Sequence, residues 1–265
     1  MGSGQHQYTF ARGTFVKQTR TPKPICVPVL LPEEQEVIIP VSQLTISHIN
    51  ICSLRNKVHH IHHLLHHHKI HVLSVNETHL NSSIPDSSVH IPGYDLYRKD
   101  RDLHGGGVCI YVHSDIHSIR IPITELGVEC VSVRLRLCTK PKAIELAVCS
   151  IYRPPSATVD FWNLCSQHLD VISRKFSRII VLGDFNTDVL QQSSNNHHYK
   201  HLSNLCEEFH LRNVVTSPTR LAKTCLDLIL VYAAAPHVKT TVVSVDGVSD
   251  HDLVLTNFSY KATQQ

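Results

Sequence analysis

From Leu44 to Phe258 the chain strings together short apolar runs of strand length, interrupted by three segments of helical period. That mixture restricts it to folds in which sheets carry the core and a few helices cover them. Leu44–Ile51 combines apolar residues with Thr, Ser and His over the length of a strand, and His71–Val75 is a second short strand. Gly105-Gly106-Gly107 breaks the chain before Val108–Val112. Val131, Val133, Leu135 and Leu137 alternate with Cys130, Ser132, Arg134 and Arg136, the period of a half-buried strand. Ile144–Tyr152, Arg178–Leu182, Leu226–Val231, Thr240–Val245 and Leu253–Phe258 complete the strand set. Val58, Ile61, Leu64 and Leu65 share one face of a predicted helix over Asn56–His68, whose other face is filled by histidines. Phe161, Cys165, Leu169, Ile172 and Phe176 predict a helix over Val159–Phe176, and Tyr199, Leu202, Leu205 and Phe209 mark a third. The expected class is α/β or α+β in one domain. The alternation is too irregular for a barrel, and no internal repeat is visible.

Residues 1–42 carry Pro22, Pro24, Pro28, Pro32 and Pro40, which would interrupt any regular element. They read as an extended leader before a domain over 43–260, with a short tail at 261–265. An apolar share of 42% excludes a disordered, collagenous or coiled-coil chain. Lys+Arg 25 against Asp+Glu 22 excludes strong non-specific attachment to polyanions, although a local basic face remains open. The 22 histidines let the net charge climb from +3 toward about +25 on acidification. Nine cysteines without a Cys-x-x-Cys spacing suggest reduced, mostly buried thiols. Met1–Arg20 lacks the apolar centre of a secretory signal, and no run approaches the ~18 apolar residues of a membrane helix. An intracellular protein, nuclear or cytoplasmic and without a membrane partner, is expected.

Polar residues stand where the apolar strands end, the place where sheets present reactive groups. Asn50 closes the first strand, Glu77 follows the second, and Tyr152 closes Ile144–Tyr152. Asp184 and Asn186 follow the strand ending at Gly183, Asp227 begins another strand, and Ser249-Asp250-His251 precedes the last. Converged, they would form an acidic, amide-lined pocket with one histidine. Such a pocket suits an oxygen-preferring cation such as Mg²⁺ and in-line attack of water on a phosphodiester. The histidines over 59–68 include i,i+4 pairs at which zinc could bind, but no Cys or carboxylate is near in sequence, and a solvated polar face is the plainer reading.

Taken in order, Ser74-Val75-Asn76-Glu77-Thr78-His79, Ser150-Ile151-Tyr152-Arg153-Pro154-Pro155, Gly183-Asp184-Phe185-Asn186-Thr187-Asp188 and Ser249-Asp250-His251 resemble the motifs of the endonuclease/exonuclease/phosphatase superfamily. Arg98–Val112, with its triple glycine, is similar to the version in apurinic-type endonuclease domains of LINE (non-LTR) retrotransposons. Ile49–Lys57 and the segment from Thr219 through Leu230 extend the resemblance, which covers about Leu44–Phe258.

The resemblance implies a four-layer α/β sandwich of two packed mixed β-sheets flanked by helices. It implies Mg²⁺ as cofactor, with Mn²⁺ as substitute, held by Glu77 with Asn50 and Asp250. Asp184 would orient or deprotonate the attacking water, Tyr152 and Asn186 would contact the scissile phosphate, and His251 would stabilise the transition state with Asp227 as its carboxylate partner. Thr219 and Ser249 are further phosphate contacts, with Thr224 competing for the threonine's role. Arg55, Lys57, Arg98, Lys99, Arg101 and Arg153 are candidates for the DNA backbone, a solvated charged loop being the alternative for each. The implied act is nicking one DNA strand to leave a 3′-hydroxyl, by a monomer. A reverse transcriptase that would extend the nick is expected to be absent from this chain, which suits an excised domain, an element fragment or a host protein derived from one. Alternatives are a phosphatase or other phosphodiesterase of the same superfamily, and a catalytically silent nucleic-acid-binding module.

Overall fold

The computed structural model describes residues 43–123, 127–139, 142–191, 197–221 and 223–259. The expected leader and tail lie outside them. The first sheet is built from β1 (Gln43–Asn50), β2 (Val72–Asn76), β3 (Tyr94–Lys99) and β4 (Val108–His113), together with two strands from the far end of the chain. The second contains β5 (His117–Arg120), β6 (Glu129–Thr139), β7 (Lys142–Tyr152), β8 (Ile179–Asp184), β9 (Leu211–Asn213) and β10 (Asp227–Tyr232). With β11 (His237–Val243) and β12 (Leu253–Ser259), the first sheet runs β11-β12-β1-β2-β4-β3 and the second β5-β6-β7-β8-β10-β9. Each is mixed: β1 with β2 and β7 with β8 are parallel, and the remaining pairs are antiparallel. Packed face to face, with α1 (Val58–His67), α2 (Asp160–Ser173) and α3 (His197–Glu208) outside, they make the expected α/β sandwich.

The period of two in each strand sorts residues between two cores. On β1, Leu44 and Ile46 join the core between the sheets, whereas Ile49 joins Ile61, Leu64 and Leu65 of α1 on the outer side. On β2, Val72 points between the sheets, while Leu73 and Val75 pack in the outer core. α2 buries Phe161, Cys165, Leu169 and Ile172 in the core of the second sheet. A register slip of one residue on β1 would exchange Ile46 for Ser47 on the inner face, so the apolar pattern pins the pairing.

Three strands escaped sequence reading: β3, β5 and β9. All are sheet edges. An edge strand is covered less and carries more polar residues, as in Tyr-Asp-Leu-Tyr-Arg-Lys of β3, so its alternation is blurred. β11 is the fourth edge and begins at His237 rather than Thr240. Cys52, Cys109, Cys130, Cys149, Cys165, Cys206 and Cys225 are free thiols, and five of these are buried. Among the described residues no helix is long and apolar enough to cross a membrane.

Candidate active site

The inner face of β1 continues from Leu44 and Ile46 to His48 and Asn50, so the same alternation that builds the core delivers polar groups at one end of it. Ser74 and Asn76 arrive likewise on β2, Ser150 and Tyr152 on β7, and Asp184 on β8. Asp227 opens β10 directly opposite Asp184 in the antiparallel register. The seam between the sheets therefore ends in a cluster of carboxylates, amides and imidazoles. Asn50 and Asp227 have no solvent exposure, and Asp184 is 1% exposed.

Glu77 stands just past β2 with φ of 51°, and Asn186 just past β8 with φ of 45°. Left-handed backbone is costly for residues with side chains, and its repetition on both sides of the seam turns these groups inward. Glu77 Oε1 accepts from Asn50 Nδ2 at 3.0 Å and from the Tyr152 hydroxyl at 2.8 Å. Its Oε2 lies 3.3 Å from His79 Nε2. Burial raises the Glu77 pKa, but the bonds from Asn50, Tyr152 and His79 outweigh it and leave the carboxyl below its usual range. Asn50 Nδ2 also donates to Asp184 Oδ2 at 2.9 Å, and the Asn186 backbone N–H donates to Asp184 Oδ1 at 2.8 Å.

On the other side of Asp184, His251 Nδ1 lies 2.8 Å from Asp227 Oδ2, and His48 Nε2 lies 3.2 Å from Asp227 Oδ1. Burial pushes Asp227 up, yet bonds to His251 and His48 bring it down to about 2. His251 is pushed down by burial and raised further by Asp227 and by the charges of Asp184 and Asp250, so it favours the imidazolium. Among the described residues no ion pair engages Asp184. Burial and the Asp227 charge lift its carboxyl to about 7. Ligand atoms of Asp184, Asp227 and His251 lie within 4.8 Å of one another.

The donor set fits a hard divalent cation. Glu77, Asp184 and Asp227 bring three carboxylates together, and burial first and then the Asp227 charge hold the Asp184 carboxyl above its usual range. Glu77 and Asp184 form the oxygen-bearing side of the site, bridged by the Asn50 amide nitrogen, while Asn50 Oδ1 accepts from the Cys52 N–H at 3.1 Å. Asp250 does not join it: Arg220 Nε and Nη2 donate to its Oδ2 at 3.0 and 2.7 Å, and Cys52 Sγ donates to its Oδ1 at 3.3 Å. An arginine fork holds this carboxylate, which is 40% exposed, and anchors the loop before His251.

The two expected phosphate contacts are engaged by other site residues. Thr219 is fully buried and its hydroxyl donates to Asp227 Oδ2 at 2.7 Å while accepting from the backbone N–H of Leu226 and Asp227. Ser249 donates to the Asn50 carbonyl at 2.7 Å and accepts from the His251 N–H at 3.2 Å. Both hydroxyls hold other site residues in place. Thr224 Oγ1, the competing threonine, is buried with no partner among the described residues.

The basic residues divide in the same way. Arg153 is 1% exposed, lies over Phe161 and Trp162, and donates to the carbonyls of Ala157, Phe185 and Asn186, so the expectation that it meets DNA is corrected by its burial. Lys57 caps the Ile51 and Cys52 carbonyls, and Lys99 donates to the Val128 carbonyl. Arg98 is held by Asp86 and Asp100, and Arg101 by Glu129. Arg55 is exposed at the start of the segment leading into α1.

Sequence reading assigned no role to His48, Ser74, Asn76 or Ser150, although the last three stand within the motifs. Ser74 Oγ bridges His48 Nδ1 at 2.9 Å and Ser150 Oγ at 2.7 Å, Asn76 Nδ2 donates to Ser150 Oγ, and Asn76 Oδ1 accepts from the Asp184 N–H at 2.8 Å. A chain of hydrogen bonds thus runs behind the site from Asp227 to Asp184. Counting back by twos from Asn50 and Asn76 would have found His48 and Ser74.

Residues 48–251 match the Endonuclease/Exonuclease/phosphatase family. Among solved structures, the chain is similar to the endonuclease domain of TRAS1, a telomere-specific non-LTR retrotransposon, with TM-score 0.63 and 16% identity over 84% of this chain and 100% of that one. It is similar to a 3′-5′ exonuclease from Neisseria meningitidis with TM-score 0.63 and 16% identity, covering 82% of this chain and 100% of the other. An AP endonuclease from Archaeoglobus fulgidus gives TM-score 0.58 and 16% identity over 82% and 100%. At these identities the likeness is one of fold. No curated protein sequence matches the chain.

Proposed function

The chain belongs to the endonuclease/exonuclease/phosphatase family, whose members hydrolyse phosphate esters, and from that premise we propose that it is a Mg²⁺-dependent endonuclease that nicks one strand of DNA. The observation that carries this reading is the meeting of the Glu77–Asn50–Asp184 side with the Asp227–His251 pair at the seam of the two sheets. A cation held by Glu77 would neutralise charge on a phosphate oxygen.

Asp184, lifted to about 7, is poised to take a proton from water near neutral pH. His251, held as imidazolium by Asp227, offers Nε2–H to a phosphate oxygen as charge develops there. Tyr152, which donates to Glu77, and Asn186, whose amide donates to the Arg153 carbonyl at 2.8 Å, would turn to the phosphate when substrate enters. The oxygen of water bonds to phosphorus, its proton passes to Asp184, and the P–O3′ bond breaks. The departing O3′ takes up a proton from solvent water, leaving a 3′-hydroxyl and a 5′-phosphate. Such a 3′-hydroxyl is a primer end of the kind a reverse transcriptase extends, and DNA action implies access to the nucleus.

The test is supercoiled plasmid with purified protein and Mg²⁺. Open circles formed by the native chain and not by Asp184→Ala support the reading, and equal conversion by both overturns it. Faster hydrolysis of a small phosphomonoester than of plasmid would instead favour a phosphatase. DNA binding unchanged by Glu77→Ala, with no turnover of either substrate, would favour a silent binding module.

A further inference from the structure

The catalytic reading leaves the most unusual stretch of the chain unused. α1 buries Ile61, Leu64 and Leu65 and turns His59, His62, His63, His66 and His67 to solvent. A solvated helix face is ordinarily mixed in charge, with acid and base paired at i,i+4. Residues 56–69 contain no acidic residue, and among the described residues no side-chain hydrogen bond or ion pair engages His62, His63, His66 or His67. The imidazoles instead face one another: the rings of His62 and His66 are 4.5 Å apart between centroids, and those of His63 and His67 are stacked at 5.3 Å.

We propose that this face of α1 binds borderline transition-metal cations of the Zn²⁺ or Ni²⁺ class at two adjacent chelates, His62 with His66 and His63 with His67. Metal–imidazole bonds of about 2.0–2.1 Å require the two ring nitrogens to approach within roughly 4 Å. Side chains at i and i+4 start about 5–6 Å apart at Cβ, and exposed rings turn freely, so each pair closes on an ion by side-chain rotation alone. The helix is already folded against its sheet, so no backbone ordering opposes binding. Two protein donors leave positions for water, which makes these exchangeable surface sites. Their all-nitrogen donors separate them chemically from the oxygen-rich seam, which suits Mg²⁺.

The experiment is calorimetric titration of the untagged full chain with Ni²⁺ at pH 7.5 in excess Mg²⁺. His62→Asn/His66→Asn and His63→Asn/His67→Asn should each lose one equivalent of bound Ni²⁺, and the quadruple variant two. His90→Asn/His104→Asn, exposed positions outside the helix, should lose none. Bound Ni²⁺ should leave the native chain on acidification, as protons compete with the metal for the imidazole nitrogens. Thermal midpoints in EDTA, unchanged among the variants, show that the fold is kept. A quadruple variant that binds as much Ni²⁺ as the native chain, or a control that loses as much as the helix variants, overturns the proposal. A quadruple variant that loses no more than one double variant overturns the assignment of two separate sites.

Discussion

Asn50 and Asp184 belong to different sheets, yet the Asn50 amide donates to Asp184 Oδ2 at 2.9 Å. The same nitrogen donates to Glu77 Oε1, so one amide spans two carboxylates that would otherwise repel. Asn50→Ala should lower stability by about 1–3 kcal/mol, since both oxygens lose a buried donor. Denaturant midpoints in EDTA measure this. In Mg²⁺ the loss should shrink, because the cation takes over the compensation.

The raised pKa of Asp184 makes metal-free stability fall with pH. Its carboxyl ionises near 3.8 without the protein environment and near 7 in the fold, so the native state holds the proton more tightly. That advantage is complete below about 3.8 and is lost as pH rises through about 7. Asp184→Asn, always neutral, escapes the loss. Between pH 5 and 8 in EDTA, the native chain should therefore lose about 2 kcal/mol relative to Asp184→Asn. A gap that stays constant across this range refutes the assignment.

His48 satisfies Asp227 Oδ1 and Ser74 Oγ inside the sandwich. His48→Ala should cost about 1–3 kcal/mol in stability and lower the nicking rate at saturating DNA more than it weakens DNA binding. Thermal melts with single-turnover nicking separate these effects. A melt equal to the native one would show that the pair of bonds contributes nothing.

Arg153 lies under the surface, and its replacement should behave accordingly. Arg153→Met should lower the melting temperature, because the carbonyls of Ala157, Phe185 and Asn186 lose their donor. The salt dependence of DNA affinity should stay at the native slope, whereas a lost phosphate contact would reduce it by about one. Arg55→Ala, at an exposed position, is the informative comparison.

Gly183 sits one residue before Asp184 where β8 runs tightly against β7. A Cβ there would collide with the Ile151 carbonyl and press on Asn76 Oδ1. Gly183→Ala should push the strands apart and displace Asp184, reducing nicking by about 100-fold or more even if the chain still folds. Activity near the native level would mean that β8 relaxes without moving the carboxylate.

Much of this site was legible because its residues end apolar strands. Asn50, Glu77, Tyr152, Asp184, Asp227 and His251 stood out as polar groups after buried runs, and the structure brings them to one seam. The supporting groups were hidden for the opposite reason. His48, Ser74 and Ser150 lie within strands, and only the inward face of each strand gives them meaning. Thr219, Ser249 and Arg153 sit beside motif residues and looked like substrate contacts, but proximity in sequence does not reveal which way a side chain points. The edge strands were obscured by partial solvation, and their positions follow from sheet order that no local pattern contains.

The pairing of β1 with β12 sets a timetable for biogenesis. Gln43 pairs with Ser259, and β12 occupies the flank of β1 that β2 leaves open. As the chain leaves the ribosome, β1 emerges early and must wait for the last described strand before its sheet closes. Asn50 and Glu77 are thus synthesised long before His251 can join them. The nascent chain exposes an unpaired strand throughout that interval, so its demand for chaperone protection should peak before residues 253–259 appear.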